Sequence, residues 1–116
     1  MGFIHVDVSN PADPDVSESV RVLIDTGATL SVLPSSILDR MGVQRLGRRR
    51  FLGFGGVVAR DTGIIQMRYE DAVAGVTAVF GAEDDPPIMG VTALEMLGYE
   101  VDPVNRKLNQ VDMLML

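Results

Sequence analysis

The 116-residue chain has no cysteine and no tryptophan, a single histidine, and few other aromatics: four Phe and two Tyr. Without cysteine there can be no disulfide, no thiolate nucleophile and no Cys-ligated zinc. His5 has no second histidine with which to build a triad or a metal pair, so it reads as an outward residue of a strand. Long apolar runs are also missing. No stretch approaches the ~20 residues of a membrane span. Residues 1–10 lack the basic-then-apolar layout of a signal peptide. The expectation is a soluble, cytoplasmic protein with no membrane partner. Positive charge is short too: 10 Lys and Arg stand against 16 Asp and Glu, a net charge of −6. A nucleic-acid binder would normally be basic, so no nucleic-acid partner is expected. The one basic cluster, Arg45 with Arg48, Arg49 and Arg50, reads as a solvated strand edge.

What remains is a chain that is 47% apolar and 22% charged. That composition supports one small folded domain over residues 1–116, with a core of Val, Ile, Leu, Met and Ala. Dimerisation would help so small a core.

Phe3-Ile4-His5-Val6-Asp7-Val8 alternates with the period of a half-buried strand. A turn cluster, Asn10 to Asp15, leads to a returning strand ending at Ile24, which predicts a hairpin. Leu30 to Leu33 is a short strand stopped by Pro34. Ser35 to Gly42 follows as a short helix. Arg48 to Arg60 carries Gly53, Gly55 and Gly56 between two extended arms, which predicts a hairpin with a flexible tip. No Gly-Lys-Ser/Thr follows it, so it is not a phosphate loop. Strands are expected at Gly63–Tyr69 and Val73–Phe80, then an acidic, solvated loop to Pro87. Ile88-Met89-Gly90 precedes a helix ending at Gly98, with Thr92 as its expected cap. Tyr99–Asp102 and Lys107–Leu116 are the last expected strands.

One stretch stands apart. The apolar run Val20 to Ile24 feeds into Asp25-Thr26-Gly27, and a second apolar run, Leu30 to Leu33, follows. A carboxylate in such a frame is costly unless it is hydrogen-bonded or shares a proton. The conflict marks a candidate functional site. The triplet alone is weak, because Asp61-Thr62-Gly63 repeats it. No comparable apolar frame follows that copy, which reads as a turn or bulge between strands.

The order of elements is specific: Leu23-Ile24-Asp25-Thr26-Gly27-Ala28-Thr29-Leu30-Ser31-Val32-Leu33, then a Gly-tipped hairpin, then Ile88-Met89-Gly90 before a helix. It resembles the retropepsin-like aspartic proteases. The closing segment Val101 to Leu108 is similar to the C-terminal hairpin of their cellular relatives, including the protease-like domain of ubiquitin-linked DNA-damage-inducible proteins. The resemblance implies a mainly β, closed barrel-like fold with one or two short helices, a flap hairpin and a homodimer. It implies an endopeptidase acting on extended peptide or protein substrates, with no cofactor and no metal. Asp25 would be the catalytic carboxylate, with Thr26 locking two such loops across a two-fold axis. Gly27 would let substrate backbone approach. Ala28 and Thr29 would line near subsites, Phe54, Gly55 and Gly56 would close over the substrate, and Ile88 and Met89 would form apolar walls. Gly90 would permit close packing behind Asp25, and the apolar chain ends would supply an intersubunit sheet. The chemistry needs two carboxylates across one water, so a chain with one usable Asp must pair with a copy of itself. The competing readings are a peptide-binding or dimerisation module of the same fold without turnover, and a structural β-barrel in which Asp25 is a turn residue.

Overall fold

The computed structural model describes residues 2–53 and 55–115. Phe54 and Leu116, both named above, lie outside the described residues. Strand β1 (Phe3–Asn10) and strand β2 (Asp13–Ile24) form the expected antiparallel hairpin, paired from Phe3 opposite Leu23 to Ser9 opposite Ser17. Period-two patterning sets its faces. Val6, Val8, Val20, Val22 and Ile24 are buried, while His5, Asp7 and Arg21 point to solvent. The Asn10 side chain fixes the turn, accepting the Ala12 N–H (3.0 Å) and donating to the Met41 carbonyl (3.1 Å).

The chain continues through β3 (Ser31–Pro34), α1 (Ser35–Arg40), β4 (Gly47–Gly53), β5 (Gly56–Tyr69) and β6 (Ala72–Gly81). It ends with β7 (Ile88–Met89), α2 (Val91–Leu97), β8 (Tyr99–Asp102) and β9 (Lys107–Gln110). Seven strands make one sheet in the order β1-β2-β7-β3-β6-β5-β4. β1 also pairs with β5, from Asp7 opposite Arg68 to Ser9 opposite Gln66. That pairing closes six strands into a ring, and β4 extends outward from β5 with a single neighbour. The result is the expected mainly β, closed barrel with two short helices. β8 and β9 form a separate two-stranded sheet.

The core fills the ring. Leu33, Leu38, Ile65, Met67 and Met89 are fully buried. Each such side chain contributes roughly 1.5–3 kcal/mol relative to exposure. Tyr69 and Tyr99 meet edge-to-face at a centroid distance of 5.1 Å, tying β8 to the barrel. Among the described residues no helix is long and apolar enough to cross a membrane.

Three local expectations are corrected. Asp61-Thr62-Gly63 is neither a turn nor a bulge: it lies within the continuous strand β5. Thr62 is paired on both sides, opposite Gly47 on β4 and Val79 on β6, and two-sided pairing overrides turn propensity. Gly63 is needed there because a Cβ would lie 2.8 Å from the Gln44 carbonyl oxygen. Thr92 does not cap α2. Gly90 occupies the cap position, and Thr92 is the helix's second residue. The last strand ends at Gln110 because β9 pairs only with the four-residue β8. Met113, Leu114 and Met115 beyond it are exposed.

Candidate active site

Asp25 is fixed by backbone on every side. It follows directly on β2, whose Leu23 and Ile24 run parallel to Ile88 and Met89 of β7. The Asp25 N–H donates to the Met89 carbonyl (3.0 Å), and the Asp25 carbonyl accepts from the Ala28 N–H (3.1 Å). Its carboxylate Oδ1 accepts from the Gly27 N–H (3.0 Å), a charge-assisted bond that aims the group. Asp25 as a residue is half-buried.

The loop after Asp25 is stitched to the start of α2. The Ala28 carbonyl accepts from the Val91 N–H (2.8 Å). The Thr29 carbonyl accepts from both the N–H (3.2 Å) and the hydroxyl (2.6 Å) of Thr92. The buried Ser31 hydroxyl oxygen accepts from the Gly90 N–H (3.1 Å). Residue 90 has no room for a side chain: a Cβ would sit 2.5 Å from the Leu30 carbonyl carbon and 2.9 Å from the Thr29 carbonyl oxygen. The apolar-apolar-Gly element thus presses on the loop that carries Asp25, at Thr29 and Leu30.

Asp25 opens onto a cleft of about 610 Å³. Of the residues singled out in the sequence, Asp25, Gly27, Ala28 and Ile88 line it. The others are placed elsewhere. Thr26 and Thr29 are exposed beside it, Gly55 and Gly56 lie at the exposed hairpin tip, and Gly90 is buried behind the loop. Met89 is no wall of this cleft. Its side chain is fully buried in the core, because successive residues of a strand face opposite sides. Sequence reasoning missed much of the lining. Leu30 and Val32 come from the approach to β3 and from β3 itself, and Phe51, Leu52 and Val58 from the two arms of the hairpin. Pro86 and Asp85 come from the loop before β7, and Arg60 from β5. Alternation within β5 was the available signal, since it puts Val58 and Arg60 on one face.

The second Asp-Thr-Gly has a different use. Asp61 accepts from Arg45 (2.7 Å) and Arg48 (3.4 Å) and is not part of the cleft. Hydrogen bonding to Arg45 comes first among the causes that hold its carboxyl below the ordinary value. Arg45 also grips Asp39 (2.9 Å) and lies 4.2 Å over the Phe80 ring. This network pins the base of the β4–β5 hairpin to the end of α1 through Arg45.

Residues 11–101 match the family model for aspartyl protease. The chain belongs to the aspartyl protease family. No curated protein matches it significantly in sequence. Among solved structures it is similar to EIAV protease complexed with the inhibitor HBY-793. The two share 23% identity with a TM-score of 0.63, over 86% of this chain and 90% of that one. The barrel is therefore the retropepsin-like fold, and the hairpin β4–β5 of this aspartyl protease lines the cleft through Phe51, Leu52, Gly53 and Val58.

Proposed function

We propose that this aspartyl protease is a homodimeric endopeptidase in which two Asp25 carboxylates, one from each copy, activate the water that hydrolyses a peptide bond. The observation that carries the reading is Asp25 itself: a backbone-held carboxylate in an otherwise mostly apolar cleft lined in part by a glycine-tipped hairpin. A single chain supplies half of the machinery. The cleft's other carboxylate, Asp85, is engaged by Arg60, and Asp61 lies outside.

A two-fold axis through the Asp25 loops would bring the second carboxylate. Two carboxylates sharing one water cannot both ionise, so the pair holds one proton (the known aspartic-protease pattern). The ionised carboxylate takes a proton from water as the water oxygen bonds to the substrate carbonyl carbon. The protonated one gives its proton to the carbonyl oxygen. Collapse of the resulting diol breaks the C–N bond. One diol hydroxyl proton returns to a carboxylate, and the amine leaves with the other's. Thr26 would join the two loops, and Gly27 and Ala28 would meet the substrate backbone. The hairpin would close over an extended peptide held by strand addition.

The test is Asp25→Asn. It should abolish cleavage of an unstructured protein at mildly acidic pH while the dimer persists in sedimentation, and full activity in that variant refutes the proposal. A monomer, with one carboxylate in its cleft, would bind peptide without cutting it. Incubation with a peptide library, with and without pepstatin, separates that binding module from the protease by the presence of products.

A further inference from the structure

We infer that Arg60 is a specificity-determining residue: it makes its wall of the cleft a recognition point for an acidic side chain of the substrate. The inference rests on the endopeptidase reading above. Arg60 occupies a place where the sheet pattern calls for an apolar residue. It follows Val58 by two on β5, so both face the cleft, among Leu30, Val32, Val79 and Ile88. A guanidinium at such a position is costly unless it is paired or used.

Its internal pairing is incomplete. Arg60 Nε donates to Asp85 Oδ2 at 3.3 Å, a long bond, and one terminal nitrogen donates to the Ala59 carbonyl (3.0 Å). The other terminal nitrogen makes no hydrogen bond among the described residues, and the side chain keeps 28% of its surface exposed. Asp85, by contrast, is held by its own turn: Oδ2 accepts from the Ala82 N–H at 2.8 Å, and the Asp85 N–H donates to the Ala82 carbonyl at 3.0 Å. Asp85 therefore orients the guanidinium without saturating it. The planar fork retains donors for a carboxylate, which arginine binds better than any other side chain. Aspartate or glutamate, set among apolar neighbours in an extended peptide, fits this wall. Two copies of the chain supply two Arg60 side chains, so the preference falls at two substrate positions related by the two-fold axis, one on each side of the cut bond.

The experiment uses end-blocked peptides, acetylated and amidated so that a side chain is the only carboxylate. Glu or Gln is placed singly at each position flanking the cut bond. The readout is the ratio of kcat/KM for Glu over Gln within one protein. The wild type should favour Glu about fivefold or more at two positions, the scale of a partly exposed charged hydrogen bond. Arg60→Met should bring that ratio to one or below. Asp85→Asn, which releases Arg60 from its internal partner, should raise it. Circular dichroism checks that both variants fold. Equal ratios at every position in the wild type, or a Glu preference that survives Arg60→Met, overturn the inference and leave the protease standing. If no peptide is cut, binding to Asp25→Asn is measured by fluorescence anisotropy. Glu-selective binding there supports Arg60 while refuting catalysis, and no binding to any peptide refutes both.

Discussion

At the scale of single residues, placement matters more than identity. Two copies of Asp-Thr-Gly occur, and their fates differ because one ends a strand against β7 while the other lies between two strand partners. Gly90 shows how little tolerance the first site has. Gly90→Ala drives a methyl group into the Leu30 backbone, which cannot swing aside as a side chain could. A loss of about 2–3 kcal/mol in urea unfolding is expected, at the upper end for overpacking. Gly75→Ala, with open space around it, should change stability by no more than about 0.5 kcal/mol. Asp102 gives a pH signature. Hydrogen bonds from the Asn105 side chain and N–H, the Asn109 amide and the Val104 N–H hold its carboxyl down to about 2. A carboxyl depressed on folding stabilises the fold above its ordinary value of ~3.9, and that contribution fades as pH falls toward the folded value. The protection of the Val104 and Asn105 amides, their exchange taken relative to the intrinsic rate at each pH, should therefore fall between about pH 4 and pH 2. Asp102→Asn should flatten that dependence.

At the scale of elements, the hairpin β4–β5 is anchored at its base and exposed at Gly55 and Gly56. Asp61 holds the base through Arg45 and Arg48. Asp61→Asn should speed amide exchange in Arg48 to Phe51 while leaving β1 and β2 unchanged. Unchanged exchange in Arg48 to Phe51 would show that the base is held by strand pairing alone. Elements of this kind were legible in the sequence wherever one periodicity ran unopposed. The β1–β2 hairpin, the glycine tip, the helix stopped by Gly98 and the frame around Asp25 were all visible there. Local signals failed where distant strands decide. Turn-forming Asp61 and Gly63 sit mid-strand because β4 and β6 flank them. The closing strand stops at Gln110 because β8 is short. The cleft was legible only in part. Asp25, Gly27, Ala28 and Ile88 carry local motifs, but Arg60, Asp85 and Phe51 meet there only through the barrel's long-range pairings.

At the scale of the whole molecule, one chain encloses one carboxylate loop and leaves apolar residues at its end exposed. The proposed homodimer predicts sedimentation at about twice the 12.5 kDa chain mass at micromolar concentration. Removal of residues 113–116 should shift that equilibrium toward monomer, since Met113, Leu114 and Met115 are exposed apolar side chains. A clean monomer, or a dimer indifferent to the truncation, would separate the association from the C-terminal segment.

The closure of the ring has a consequence for solubility. Among the described residues β4 is the one strand of the large sheet with a single neighbour, and an open strand edge is a template for stacking molecule upon molecule. Along that edge stand Arg48, Arg49 and Arg50, all exposed. Two such edges repel when they approach, so the hairpin is guarded against growing into a fibril. Replacing Arg49 and Arg50 together with valine should convert the protein into one that scatters light on storage.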